Sequence, residues 1–175
     1  MFERLESWTE RPEPGIRFFS GTATYEKEID LPAGRLAEAR EWYLDLGEVF
    51  VMAEVEWNGS SLGTLWKPPF RVRVDGVARA GANRLVVRVT NLWRNRMIGD
   101  ASLPDDDIEW NAPGRAGAFP SEWPDWLEQG KPRPGGRIAF CTRKDVYKKD
   151  DPLLPSGLLG PVTLRAAAKI GVSTQ

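Results

Sequence analysis

A run of carboxylates between residues 92 and 136 is the part of the sequence best suited to acid–base chemistry. Two carboxylates held roughly 5 to 10 Å apart can cleave a glycosidic bond, one as the acid and the other as the nucleophile or base. The segment offers Asp100, Asp105, Asp106, Asp107, Glu109, Glu122 and Asp125. Their spacing singles out no pair, and acidic residues in loops are usually solvated turn formers. A small autonomous glycosidase that uses Asp100, Glu109 or Glu122 therefore stays an alternative hypothesis.

Histidine is absent, and Cys141 is the only cysteine. The lack of histidine excludes Ser-His-Asp and Cys-His catalysis and every imidazole metal site. A single cysteine excludes a disulfide within the chain and a zinc cluster built from cysteines. Within "RIAFCT" we interpret Cys141 as a small apolar residue rather than a reactive thiol.

Tryptophan is concentrated in the same segment, which contains four of the eight in the chain. A pyranose ring lies with its C–H face on an indole, while its hydroxyls need polar partners beside the ring. The sequence supplies both kinds of residue, which makes carbohydrate binding the second hypothesis. The alternative is that these tryptophans only pack the segment onto the rest of the domain. The carbohydrate-binding candidates are Trp93, Arg94, Asn95, Arg96, Asp100, Glu109, Trp110, Trp123, Trp126 and Lys144.

Two acidic stretches, "DASLPDDDIEW" and "KKDDP", could supply the several oxygen ligands that a calcium ion prefers. Asp105 and Asp107 are the candidate ligands. Neither stretch has the spacing of an EF-hand loop. A structural calcium is therefore a weak candidate, and no other cofactor is indicated.

Charge and hydropathy limit the choice of partners. Lys and Arg number 24 against 25 Asp and Glu, which gives a net charge of −1. Such a balance creates no field that would collect nucleic acid, so we expect no nucleic-acid partner. No run of about 20 apolar residues is present, so we expect no membrane span. The opening "MFERLESW" is acidic where a signal peptide is basic and apolar, so no export signal is predicted and the compartment stays open.

Short segments of alternating apolar and polar residues predict strands along most of the chain. The clearest is "VFVMAEVEW", with Val49, Val51, Ala53, Val55 and Trp57 on one face. The Asn58-Gly59 pair then predicts a type I′ hairpin turn. Further predicted strands are "GTATYEKEIDLP", "EWYLDLG", "SLGTLW", "FRVRVD", "NRLVVRVTN", "GRIAFCT" and "GPVTLRA".

This strand pattern predicts an all-β fold, an antiparallel β-sandwich of the jelly-roll type, with a barrel as the competing architecture. Residues 1–17 read as an extended lead-in, and residues 18–170 as a single β-sandwich domain. Residues 92–136 interrupt the regular pattern and are too long for an ordinary connection. Since ordered long loops often carry function, we interpret them as a functional loop.

Several of these segments resemble a known family. "FSGTATYEKEIDLP", "VEWNGSSLGTLWKPPFRVRVDG" and "AGANRLVVRVTNLW" are similar to the sugar-binding, galactose-binding-like jelly-roll domain of family 2 glycoside hydrolases. The likeness is greater to the C-terminal domain of α-L-rhamnosidase-like enzymes of glycoside hydrolase family 106. The segments that carry it are "LWKPPF", "TNLWRNRMIGD", "EWPDWLEQGKPRPGGR" and "DDPLLPSGLLGPVTL".

The resemblance implies an accessory module of a rhamnosidase-like glycosidase, whose separate catalytic barrel domain cleaves the substrate. Its implied partners are that barrel and an oligo- or polysaccharide. The compartment of the parent enzyme stays open, and a periplasmic or extracellular one is compatible with the resemblance. It implies that Trp66 packs and that "NLWRNRMIGD" is the best candidate for a functional loop. No βα repeat occurs in this chain, so the family's catalytic carboxylates have no counterpart here. Sugar binding and scaffolding both stay open as the module's role.

Overall fold

The computed structural model describes residues 4–38, 41–104, 108–112, 118–139 and 146–167. Its contacts divide the chain into two compact units. Unit 1 comprises Met1–Ser7, Gly21–Asn91 and Pro155–Gln175, and unit 2 comprises Trp8–Ser20 and Leu92–Leu154. Within the described residues, no helix has the length and hydropathy needed to cross a membrane.

The described residues of unit 1 form nine strands and one short 3-10 helix, Leu36–Glu38. All the strand pairs within its sheets are antiparallel, as expected for an all-β sandwich. The strands are β1 (Thr22–Leu31), β2 (Glu41–Asp45), β3 (Glu48–Phe50), β4 (Met52–Trp57), β5 (Ser60–Leu65), β6 (Arg71–Arg73), β7 (Gly81–Thr90), β8 (Gly157–Gly160) and β9 (Thr163–Ala167).

These strands form three sheets. The four-stranded sheet has the order β1-β7-β4-β5, the three-stranded sheet β6-β2-β9, and the two-stranded sheet β3-β8. Alternation decides which side chains enter the core, because successive residues of a strand face opposite ways. Ala53, Val55 and Trp57 of β4 are buried, as are Trp42 and Leu44 of β2. The predicted antiparallel all-β sandwich is confirmed, whereas its jelly-roll connectivity stays a prediction.

The turn between β4 and β5 forms as the sequence predicts. Asn58 and Gly59 have φ values of 51° and 82°, which are the positive angles that a type I′ turn needs. The turn places Trp57 opposite Ser60. The prolines that follow β5 lie outside the strands, since they could not donate ladder hydrogen bonds.

The predicted strand "VFVMAEVEW" is wrong in one respect, because it is two strands in two sheets. Val51 lies between β3 and β4, and its side chain is 38% exposed rather than buried with Val49 and Ala53. Its amide donates a hydrogen bond to the Thr90 carbonyl at 3.0 Å. β3 pairs with β8, whereas β4 pairs with β5 and β7. The alternation of apolar and polar residues does not reveal such a change of partner strand.

The described residues of unit 2 form short helices and one isolated antiparallel bridge. The helices are α1 (Pro14–Arg17), α2 (Arg94–Asp100), α3 (Asp125–Glu128) and two 3-10 helices, Trp8–Glu10 and Pro134–Gly136. Residues 8–10 and 14–17, predicted as part of an extended lead-in, form two of these helices, and Trp8 is only 3% exposed. The Trp8 ring packs edge-on against Phe19, with 5.4 Å between ring centroids.

The predicted strand "GRIAFCT" is wrong over residues 136–139. Gly136 ends a 3-10 helix, and the next three residues belong to no strand. Ile138 is 64% exposed, which a core-facing strand residue would not be. The remaining residues of this segment, including Cys141, lie outside the described part of the chain. The predicted boundaries of one β-sandwich domain over residues 18–170 stay a prediction.

Candidate functional site

Asn95 fixes helix α2 to the segment that ends unit 2. Its side chain is 2% exposed, and its Nδ2 donates to the Leu154 carbonyl at 2.7 Å. Its Oδ1 accepts from the Leu154 amide at 2.9 Å. Both ends of the side-chain amide are therefore used to hold backbone. This position differs from the ligand contact that the sequence predicts.

Asp100, at the end of α2, is an interior carboxylate. Its Oδ2 accepts hydrogen bonds from the amides of Ile138 at 3.0 Å and Ala139 at 2.7 Å. Its Oδ1 lies 2.8 Å from Nη2 of Arg96, one helical turn earlier. The two side chains are 6% and 12% exposed. Asp100 and Arg96 thus form a nearly buried ion pair that holds residues 138 and 139, instead of presenting charge to a ligand.

The start of α2 is more accessible. Trp93 is 59% exposed. Arg94 donates from Nη2 to the Pro152 carbonyl at 3.3 Å, and its guanidinium carbon lies 5.2 Å from the centroid of the Tyr147 ring. Trp93 is therefore free to make an external contact, whereas Arg94 is already engaged within unit 2.

Two short segments of unit 2 form a ribbon that brings Glu109 and Glu122 onto neighbouring stretches of backbone. Trp110 and Pro120 form an antiparallel bridge. The Ser121 amide donates to the Glu109 carbonyl at 2.8 Å, next to that bridge. Both glutamates are exposed, and Trp110 is half-buried. Of the three catalytic candidates, the structure thus brings these two together and leaves Asp100 in the interior.

Trp123 and Trp126 differ in their environment. Trp123 is 49% exposed. Trp126 is half-buried and lies under Arg133, whose guanidinium carbon is 5.8 Å from the ring centroid. Trp66 of unit 1, expected to pack, is 68% exposed, so within this chain that expectation is wrong. The accessible tryptophans at the predicted carbohydrate site are therefore Trp93 and Trp123.

Three predicted ligand residues, Lys144 and the calcium candidates Asp105 and Asp107, lie outside the described residues. Among the residues that are described, no three carboxylates or thiols converge in a way that could hold a metal ion.

The exposed face of the four-stranded sheet is covered by ion pairs. Arg84 on β7 donates to Glu26 on β1 at 2.8 Å, and Arg88 donates to Glu56 on β4 at 3.2 Å. The hydrogen bond to Glu26 raises the pKa of Arg84 above its usual value. Val86, which also belongs to this face, is only 1% exposed. A face covered with alternating charges is suited to water rather than to a protein or a sugar ring.

A cleft in unit 1 was missed by the sequence reasoning. It lies between residues 45–50, which run from the end of β2 through β3, and residues 68–70, which precede β6. Its volume is about 300 Å³. Pro68 and Pro69 line one side, and Asp45 and Glu48 supply carboxylates. The two segments are about 20 residues apart in sequence, so the sequence does not show that they meet. The only signals for the cleft are the Pro68-Pro69 pair and the acidic residues between β2 and β3.

Comparisons with known proteins place this fold inside larger enzymes. No family model matches the chain. It is 45% identical over 163 residues to a protein of Formosa agariphila that carries a provisional β-glucuronidase name, covering 93% of this chain and 13% of that protein. The solved rhamnosidase of Novosphingobium sp. PP1Y superimposes with a TM-score of 0.63 and 35% identity, covering 93% of this chain and 12% of the rhamnosidase. The chain thus spans about one eighth of the length of these proteins, and it is similar in sequence and fold to one segment of larger glycosidases.

Proposed function

We propose that the chain is an accessory β-sandwich module of a rhamnosidase-like glycosidase, of the kind found at the C-terminus of glycoside hydrolase family 106 enzymes. One observation carries this proposal. Nearly the whole chain aligns with only about one eighth of a rhamnosidase, at 35% identity and a TM-score of 0.63. A segment that is matched as a unit, within a much longer enzyme, is best explained as a module beside the catalytic domain.

The carboxylates support an accessory role over catalysis. Asp100 is held by two backbone amides and by Arg96, so it is poorly placed to exchange protons with a substrate. Glu109 and Glu122 are exposed, whereas catalytic carboxylates generally sit in clefts that shield them from water. The barrel that the family uses for cleavage would be the partner domain.

Scaffolding is the role within the enzyme that unit 2 favours. Many of its large apolar side chains are exposed, including Leu92 at 52%, Phe119 at 59% and Ile138 at 64%. Apolar side chains such as Leu92 and Ile138 offer little to a sugar but gain from burial against protein. We propose that this surface packs on the partner domain.

Carbohydrate binding is a second role, and a different observation favours it. Trp93 and Trp123 present indole surface at 59% and 49% exposure, which suits stacking on a pyranose. On this proposal an oligo- or polysaccharide of the parent enzyme's substrate class stacks on one of these rings or on each of them.

An antibody raised against the purified chain tests the proposal in the source cells. We expect it to detect a polypeptide several times heavier than 19.6 kDa. We also expect the purified chain to leave aryl rhamnosides and aryl glucuronides intact. A band at 19.6 kDa alone, together with hydrolysis that is lost in Glu109→Gln or Glu122→Gln, would instead establish an autonomous glycosidase.

A further inference from the structure

We propose that the cleft between residues 45–50 and 68–70 of unit 1 is a binding site for one pyranose unit of a carbohydrate. The choice of sugar as the ligand class rests on the proposed function, whereas the site itself rests on its geometry. Its volume of about 300 Å³ is at the small end of the roughly 300–1,000 Å³ typical of small-molecule sites.

The walls of the cleft suit the C–H face of a sugar ring. Pro68 and Pro69 are exposed and form one wall, and Val49, Phe50 and Phe70 line the remainder. Rigid apolar surface of this kind provides contact at little cost in side-chain entropy, because proline has few rotamers to lose.

Of the two carboxylates at the rim, one already has hydrogen-bond and ion-pair partners and the other has none among the described residues. This difference favours a neutral polyol over a cation as the ligand. Asp45 accepts the Gly47 amide at 3.0 Å and pairs with Arg165 at 3.3 Å, so its charge is already compensated. Glu48 is exposed, and its side chain forms no hydrogen bond or ion pair with the described residues. A single solvated carboxylate holds a cation weakly, but it readily accepts hydrogen bonds from two adjacent hydroxyls.

The two sides of the cleft are fixed before any ligand arrives. The Leu46 amide donates to the Phe70 carbonyl at 2.8 Å, which ties one side to the other. Gly47 lies so close to Gly160 that a Cβ on Gly47 would overlap the Gly160 carbonyl group. A preformed site loses little conformational entropy when it binds, which favours even a small ligand.

Trp66 precedes the proline wall of the cleft in sequence and does not itself line the cleft. It precedes Pro68 by two residues and is 68% exposed, with the Lys67 ammonium 5.3 Å from its ring centroid. An exposed indole this close in sequence to the cleft wall offers a stacking surface for the next sugar of an oligosaccharide. We therefore expect oligosaccharides to bind more tightly than monosaccharides.

The test is a titration of the isotope-labelled full chain, followed by amide chemical shifts, with methyl α-L-rhamnoside, methyl β-D-glucuronide and rhamnose oligosaccharides. We expect shifts concentrated at residues 45–50 and 70, and a Kd raised about tenfold by Glu48→Gln. Glu54→Gln is the matched control, because Glu54 is also an exposed glutamate, on the next strand along the chain but in a different sheet, and its replacement changes the net charge equally. Trp66→Ala should weaken oligosaccharides and leave monosaccharides unchanged.

The outcomes separate this site from the proposed function. Shifts confined to Trp93 and Trp123, unaffected by Glu48→Gln, would overturn the cleft and leave carbohydrate binding in place. An absence of shifts with every sugar, in a chain whose spectrum is that of a folded protein, would also overturn the cleft. The size of the polypeptide detected by the antibody decides the accessory role independently of either result.

Discussion

The Oδ1 atom of Asn83 accepts a hydrogen bond from the indole nitrogen of Trp57 at 3.0 Å, in the interior of unit 1. The same oxygen accepts from Asn58 Nδ2 at 2.9 Å and from the Arg79 amide at 3.0 Å. The Nδ2 atom of Asn83 donates to the carbonyls of Arg79 and Gly81. Asn83 is 2% exposed, so one side chain joins the β4–β5 turn to the chain that enters β7.

Replacing Asn83 with Ala should lower the free energy of unfolding by about 3 kcal/mol. The change leaves the indole N–H of Trp57, which is fully buried, without its acceptor, and an unsatisfied buried donor costs about 1 to 3 kcal/mol on its own. Urea denaturation followed by circular dichroism measures the loss. Ser60→Ala, at an exposed position of the neighbouring turn, is the control and should change stability by less than about 0.5 kcal/mol.

Breaking the Arg96–Asp100 pair should destabilise unit 2. Asp100→Asn leaves the Arg96 guanidinium nearly buried and uncompensated, which we expect to cost about 3 kcal/mol. Hydrogen exchange of the Ile138 and Ala139 amides should accelerate, since both donate to the Asp100 carboxylate and a neutral amide oxygen in its place is a weaker acceptor. The double variant Arg96→Met with Asp100→Asn should recover part of the loss. Unchanged exchange at both amides would contradict the structural role assigned to Asp100.

Gly99 is required because its neighbours leave no room for a side chain. A Cβ at this position would lie 2.6 Å from Cγ of Phe18 and 2.9 Å from Nη2 of Arg96. Gly99→Ala should therefore cost about 1 to 3 kcal/mol through overpacking, despite the higher helix propensity of alanine.

Gly15 provides the matched control, because it also lies in a helix of unit 2 but has open space where a Cβ would stand, with no neighbouring atom within 4 Å. Gly15→Ala should be neutral or stabilising by about 0.5 to 1 kcal/mol. Thermal unfolding of both variants tests the difference. Equal stability of the two would show that the neighbours of Gly99 yield without cost.

The sequence predicts strands such as β2 and β4 well because one face of each is buried, which imposes a period of two on residue type. It predicts the Asn58-Gly59 turn because few residues accept its positive φ values. The sequence cannot predict the change of sheet at Val51, because a valine can occupy either an exposed junction or a core position. Pairing between distant segments decides that outcome.

The candidate site is less predictable for a related reason. Asn95 and Asp100 carry the same polar groups whether they bind a sugar or satisfy buried backbone, and only the position of Leu154 and Ile138 distinguishes the two roles. Likewise, nothing local distinguishes exposed Trp93 from half-buried Trp126. Residue type therefore selects a candidate segment without assigning the role of each side chain.

Acid should weaken the fold through Asp75. Its Oδ1 accepts from Arg73 Nε at 2.7 Å and from the Trp42 amide at 3.4 Å. The hydrogen bond from Arg73 is the main cause of a pKa lowered from the ordinary 3.8. A carboxyl with a lowered folded pKa contributes stability above its unfolded pKa, and that contribution disappears as the pH falls through the folded value.

Asp75→Asn should thus be less stable than the natural chain at neutral pH, and the gap should close below about pH 4. The reason is that the natural carboxyl loses its charge in this range, whereas the amide of the variant has no charge to lose. Urea midpoints across this range, in a double-mutant cycle with Arg73→Met, isolate the pair. A coupling that persists unchanged at the lowest pH would mean that the Asp75 charge is not its source.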